Sequence, residues 1–258
     1  MFDAEADAFL AWALPRRGLR WHGFRRNRRQ VYRRLHARIH SLGLETAAAY
    51  RAYLENHPEE WPQLDHLCRV TISRFARDRA IWTTLVDEVL PRLESSGTAS
   101  AWSAGCGAGE EPYTLAIAWL VEVVPAIPID ILASDIDDVQ LARAIAGRFP
   151  PGALRELPDA WRRTAFDDQL CVRPQFRAPI RFVHHDLRMP PPAPGPFDLV
   201  LCRNLAFSYF DEATQRAITS SFRAVMRTGG VLVVGLDESL PSGTPGFVLQ
   251  SPCIYVAA

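Results

Sequence analysis

Ala101-Trp-Ser-Ala-Gly105-Cys-Gly107-Ala-Gly109-Glu-Glu111-Pro112 decides the fold of this 258-residue chain. A short apolar run, ASAWSAG, enters a glycine-rich turn, and a helical segment, PYTLAIAWLVEVV, opens at Pro112, a residue suited to a first helical turn. Glycines there let the backbone approach a ligand closely, and a helix N-terminus faces it. The alternation then repeats down the chain. IDILASD, IRFVHHD, FDLVLCR, VLVVGLD and a final FVLQSPCIYVA read as strands, while DVQLARAIAG and DEATQRAITSSFRAVMR read as helices. Strand alternating with helix predicts an α/β fold whose parallel sheet is covered on both faces. MPPPAPGPF is a stiff connector rather than a domain linker, because a strand follows at once.

The spacing of the glycines selects the ligand. A dinucleotide fingerprint, GxGxxG, needs glycine at position 110, where this chain has Glu110. Two carboxylates at the helix mouth, Glu110 and Glu111, would repel a pyrophosphate. They suit a ligand with hydroxyls and positive charge, such as the sulfonium and ammonium of S-adenosylmethionine. The next strand ends in Ala133-Ser-Asp135-Ile-Asp137, and an acidic side chain at the tip of a second strand is where a ribose is held. Asp137 is the expected cap of the following helix and Asp135 the expected ribose ligand. A plain strand-to-helix turn is the bland alternative for the glycines, and helix capping for both aspartates.

Residues 1–80 are expected to form a helical subdomain. Val31, Leu35, Ile39 and Leu42 recur at helical spacing, one buried stripe, with Gly43 as the stop. Arg25, Arg26, Arg28, Arg29, Arg33 and Arg38 fall mostly off that stripe, on a solvated basic face. ETAAAYRAYLENH and EEWPQLDHLC read as two further helices. Lysine is absent, and the 29 arginines balance 29 carboxylates over the whole chain. The balance is uneven, because residues 1–80 hold 15 arginines against nine carboxylates. Arginines without interleaved exposed aromatics, in a chain of zero net charge, argue against nucleic acid as partner.

With 48% hydrophobic and 22% charged residues, intrinsic disorder is excluded. The longest apolar stretch, Leu115 to Val124, contains Glu122 and falls short of the roughly 20 residues a bilayer needs, so no membrane insertion is expected. MFDAEADAFL is acidic and does not read as a secretion leader. Cys68, Cys106, Cys171, Cys202 and Cys253 are odd in number and never spaced as CxxC, which argues for a reducing cytoplasm and against a zinc site. His36 and His40 have ligand-like spacing but lack a third ligand, so no metal is expected.

Taken in order, Thr71-Ile-Ser73-Arg-Phe75-Ala-Arg77-Asp78, WSAGCGAGEEPYTLA, ASDID, HHDL, LCRNLAFSYFD and TGGVLVVGLDESL resemble the chemotaxis-receptor (CheR) methyltransferase family. The likeness extends to the N-terminal helices, through RRLHARIHSLGL and YRAYLENHPEEW. It implies a class I, Rossmann-like methyltransferase domain over 81–258, mostly parallel with an antiparallel last strand, and S-adenosylmethionine as cofactor. It also implies esterification of glutamate side chains on a receptor protein, whose acidic helices would dock on the basic N-terminal face. Carried over to matching positions, Thr71, Ser73 and Arg77 would meet the cofactor, together with Gly105 and Gly107 of the turn. Glu111 would contact its methionine or ribose part, Asp135 the ribose, and Asp186 with Leu187 the adenine edge. Arg203 and Asn204 would line the floor of the site, and Tyr209 would sit near the transferred methyl. Arg77, Arg203 and Tyr209 are thus the candidate catalytic residues.

Three departures concern the acceptor. Phe75-Ala76 stands where the family has paired phenylalanines, LAFSYFD is one residue longer than usual, and the 150–182 insert leaves room for a small hairpin at most. They motivate an alternative acceptor, a small carboxylic acid in a biosynthetic pathway. A third possibility is a module that senses S-adenosylmethionine and docks a partner without turnover. For a carboxylate acceptor no general base is needed, since a group of pKa about 4.3 is ionised at neutral pH. An alcohol or amine would need one, and His184, His185 and Asp211 are the nearby candidates.

Overall fold

The computed structural model describes residues 2–70, 73–93, 97–123 and 127–258. They group into two compact units: Met1–Val70 with Ser208–Thr214, and Thr71–Phe207 with Gln215–Ala258. The division thus falls at Val70 rather than near residue 80, and a short piece of the C-terminal half belongs to the N-terminal unit.

The first unit is helical, with α1 (Phe2–Ala13), α2 (Arg28–Ser41), α3 (Ala47–Asn56) and α4 (Trp61–Cys68). Val31, Leu35 and Ile39 of α2 are buried, as their spacing requires. Gly43, at φ +70, ends that helix, and Thr46 caps α3 by accepting the Ala49 N–H at 3.1 Å. Two arginines depart from the expected solvated face, the first being Arg28, partly buried with its guanidinium 5.1 Å from the Trp21 ring centroid. Arg38 donates from Nε (2.9 Å) and Nη2 (2.6 Å) to the buried carboxylate of Glu60, which also accepts the Tyr50 hydroxyl at 2.6 Å. Arg34 turns inward as well, onto the carbonyls of Leu67 in the last turn of α4 and Arg69 just past it. Arg25, Arg26, Arg29 and Arg33 remain exposed.

The second unit is built on a seven-stranded sheet: β1 (Ala99–Ala104), β2 (Ile129–Asp135), β3 (Ile180–His184), β4 (Phe197–Cys202), β5 (Met226–Val234), β6 (Phe247–Ser251) and β7 (Ile254–Ala257). Their order is β3-β2-β1-β4-β5-β7-β6. The pairings from β3 across to β5 are parallel, while β7 runs antiparallel to both β5 and β6. The stretch read as one final strand is therefore two, broken at Cys253, whose φ is +69.

The chain also forms α5 (Arg79–Thr84), α6 (Glu110–Ala118), α7 (Asp138–Ala146), α8 (Asp159–Ala165), α9 (Pro174–Arg177), α10 (Ala206–Tyr209) and α11 (Glu212–Val225). Alternation along β1 shows both sheet faces covered. Ser103 bonds Glu111 of α6, while its neighbour Trp102 meets Phe222 of α11 with ring centroids 5.2 Å apart. Every residue of β4 is buried, as a central parallel strand demands.

The 150–182 insert holds α8 and α9 and, between them, only the rudiment of a hairpin: Phe166 and Val172 form an isolated antiparallel bridge, and Cys171 forms another with Arg148 just ahead of the insert. The Asp167 carboxylate accepts the N–H groups of Gln169 and Cys171, and Pro174 starts a helical turn. The chain thus reverses without building a ladder. Among the described residues, no helix is long and apolar enough to cross a membrane.

Candidate active site at the strand tips

The strand order reverses between β1 and β4, and open α/β sheets bind ligands outside the carboxyl ends of their strands at such a switch point. The sequence-predicted residues of this unit gather there. Gly105, Gly107 and Gly109 leave β1 with φ of +87, +55 and +94. At Gly105 the backbone angle favours glycine, and a Cβ there would lie 2.2 Å from Cδ2 of Leu205, so that side chain would have to shift. The turn is tied to β2, because the N–H groups of Gly105 and Cys106 donate to the Ser134 carbonyl at 2.8 and 2.9 Å.

At the tip of β2, Asp135 accepts the Gly107 N–H through Oδ2 (2.8 Å) and the Asp137 N–H through Oδ1 (2.9 Å). Asp137 caps α7 as expected, accepting from Val139 and Gln140. The carboxylate of Asp135 is thereby fixed against the glycine turn.

The mouth of α6 carries two withdrawn carboxylates. Glu111 accepts the Ser103 hydroxyl at 2.8 Å and Arg203 Nη1 at 3.3 Å. Burial pushes its carboxyl above the usual range, more than Arg203 and Ser103 pull it back. Glu110 is buried and bonded to the Ser73 hydroxyl, and burial raises its carboxyl too. Its Oε2 has no hydrogen-bond partner. Helix α6 begins at Glu110, two residues ahead of the predicted Pro112.

Arg203, just past β4, is the hub of the cluster. Its Nη2 donates to the Arg77 carbonyl (2.7 Å) and to Asp78 Oδ2 (2.9 Å), and its guanidinium lies 5.7 Å from the Trp82 ring centroid. Its Nε is buried without a partner. Arg77 is partly exposed, with its own Nε 4.0 Å from Asp78. It lies beside two residues in left-handed backbone, Ala76 (φ +49) and Asp78 (φ +60). That strained turn is anchored by the Ala76 N–H on Thr114 Oγ1 at 3.1 Å, and non-glycine residues in such backbone cluster at functional sites.

Asp186 and Leu187 follow β3. Arg188 chelates the Asp186 carboxylate, with Nη2 to Oδ2 at 2.7 Å. Burial would raise that carboxyl, but Arg188 outweighs it and holds it below the usual range. His185 is buried and bonded to the Pro190 carbonyl, while the exposed His184 pairs with Asp138 at 2.7 Å. Cys106 and Cys202 are buried thiols pushed well up by burial, hence packing residues.

Thr71 lies outside the described residues. Tyr209 belongs to the helical unit, where its hydroxyl meets Asn27 Nδ2 at 3.2 Å and its ring lies 4.7 Å from that of Phe24. His36 and His40 bring their Nε2 atoms to 3.2 Å on an exposed face, and among the described residues no group of three or more ligating side chains could hold a metal. Sequence reasoning gave no role to Glu238, which is buried and accepts the N–H groups of Asn204 (2.6 Å) and Gly235 (2.7 Å). Its one signal was its place in the quoted TGGVLVVGLDESL run.

The donor set fits a cationic, hydroxyl-bearing nucleoside. It offers carboxylates, one of them with an orphaned oxygen, beside a glycine turn whose N–H is already spent on Asp135 rather than free for a phosphate. Sheet order and site together define a class I methyltransferase that uses S-adenosylmethionine.

Comparison with known proteins sharpens the class. Residues 71–252 match the CheR methyltransferase SAM-binding domain, and residues 25–64 match the CheR methyltransferase all-alpha domain. The chemotaxis protein methyltransferase of Listeria innocua is 37% identical over 179 residues, 67% of either chain. That of Klebsiella aerogenes is 31% identical over 240 residues, covering 88% of this chain and 81% of its own. That of Escherichia coli is 30% identical over 240 residues, covering 88% and 82%. The chain belongs to the CheR methyltransferase family.

Proposed function

We propose that this protein transfers a methyl group to carboxylate side chains, esterifying glutamates on acidic helices of a receptor-like protein. One observation carries the reading of the acceptor. The arginines Arg25, Arg26, Arg29 and Arg33 stay exposed, giving a basic ridge that runs from just before α2 into its second turn. Such a ridge complements an acidic helix and steers its approach. The names of the curated relatives, chemotaxis protein methyltransferases, agree with a protein acceptor.

When bound, S-adenosylmethionine supplies an electrophilic methyl on a sulfonium. Asp135 would hold its ribose hydroxyls, Asp186 with Leu187 its adenine edge, and Glu111 its ammonium. Ser73, Gly105 and Gly107 would line it. Arg77 would clamp its carboxylate bidentately, which spares the attacking oxygen of the acceptor an over-tight partner. Arg203 and Asn204 would form the floor. An ionised acceptor needs no base, so the chain's task is alignment and exclusion of water. His184 and His185 are both already engaged, consistent with chemistry that asks nothing of them.

The test is incubation with radiolabelled cofactor and acidic helical peptides. Alkali-labile methyl esters on glutamate are expected. Label transferred only to small acids, or no turnover despite tight cofactor binding, would overturn the proposal.

A further inference from the structure

Strands β4 and β5 run parallel and end level, with Cys202 opposite Val234. Beyond those ends the backbone has left the ladder, and its N–H groups need other acceptors. A single carboxylate oxygen meets both needs. Oε2 of Glu238 accepts the Asn204 N–H at 2.6 Å and the Gly235 N–H at 2.7 Å, and the Glu238 N–H returns to the Gly235 carbonyl at 2.9 Å. Asn204 is held in left-handed backbone, φ +57, a conformation uncommon for a residue with a Cβ. Gly235 is equally constrained, because a Cβ there would lie 2.4 Å from Asn204 Nδ2 and 2.7 Å from Glu238 Oε2. The three residues form one rigid knot on the β4 side of the switch point, immediately after Arg203.

We propose that Glu238 is a positioning residue for the cofactor site: it locks the Arg203-Asn204 turn in its left-handed form and so aims the Asn204 side chain at the bound nucleoside. This rests on the floor role proposed above for Asn204. The charge of Glu238 also adds to the forces that keep the Glu111 carboxyl high, after burial, so the knot and the helix mouth are electrostatically in touch.

A double-mutant cycle on the full chain separates positioning from mere structural support. The affinity for S-adenosylhomocysteine is measured by calorimetry for the parent, Glu238→Leu, Asn204→Gly and the pair, with thermal melts alongside. Leucine removes the one oxygen that accepts both N–H groups, and glycine keeps the left-handed backbone available while removing the side chain. Asn204→Gly and Glu238→Leu are each expected to weaken binding about tenfold, the scale of one lost hydrogen bond to a charged or well-placed group. In the Asn204→Gly background, Glu238→Leu should then change affinity less than twofold. Additive losses would overturn positioning and leave Glu238 a structural residue. Normal binding by Glu238→Leu while Asn204→Gly is impaired would also overturn it, leaving the floor role intact. Normal binding by Asn204→Gly would remove both.

Discussion

Glu60 of the helical unit and Glu111 of the sheet unit are both withdrawn from solvent, yet only Glu60 is given a full set of donors by its own chain. Two Arg38 nitrogens and the Tyr50 hydroxyl meet it, and Arg38 above all holds its carboxyl below the ordinary range despite burial. Glu111 has one hydroxyl and one long guanidinium contact, and burial leaves its carboxyl high. Glu110 beside it keeps a bare oxygen. A carboxylate that serves the fold is satisfied at folding. One left under-supplied in a cleft retains capacity for a cationic or hydroxyl-bearing ligand.

The largest effect expected from this contrast is on stability. Arg38→Ala strips Glu60 of its cation and should cost about 3 kcal/mol in denaturant unfolding. A loss below about 1 kcal/mol would mean that Glu60 was not charged and paired. Glu111→Gln should do the reverse, leaving the melting temperature unchanged or raised while the affinity for S-adenosylhomocysteine falls by about 1.5–3 kcal/mol. Calorimetry beside a thermal melt reads both, and a variant that melts early yet binds normally would erase the contrast. Asp135→Asn retains an acceptor for one of its two backbone N–H groups and should weaken binding by about 1.5 kcal/mol. Unchanged affinity would refute the ribose assignment.

The smallest effect is on pH dependence. Glu60 has its folded pKa below the ordinary 4.5, and Asp7, bonded by Tyr32, lies below its ordinary 3.8. Their stabilisation is present above those ordinary values and is lost as pH falls beneath them. Glu110 and Glu111, raised by burial above 4.5, oppose folding most at neutral pH, and that opposition is relieved as pH falls towards 4.5. Mild acid should therefore increase hydrogen-exchange protection in the sheet unit first, with loss in the helical unit only at lower pH. Loss in both units together would contradict the opposite signs.

Local pattern carried much of this architecture. The run Ile129–Asp135 reads as a strand because its apolar residues and the acidic tip are contiguous, and the α2 stripe because Val31, Leu35 and Ile39 repeat at helical spacing. Pairings between residues distant in sequence were illegible. Arg38 looked solvated because Glu60 comes 22 residues later. Glu238 looked idle because its bond to Asn204 spans 34 residues and exists only when β4 and β5 lie side by side. The 150–182 insert was legible only in part: Asp167 closes a tight reversal flanked by the Phe166–Val172 bridge, but Pro174 starts a helical turn before a ladder can extend.

The segment Ser208–Thr214 has a consequence for synthesis. Arg20 donates its N–H to the Tyr209 carbonyl, Asp211 donates to the Gly18 carbonyl, and Leu19 bridges Phe210. The Gly18–Arg20 stretch therefore cannot complete its hydrogen bonding until the chain has been made through Asp211, four strands of the sheet included. Cutting the gene after Val70 would leave that seam without its partner segment.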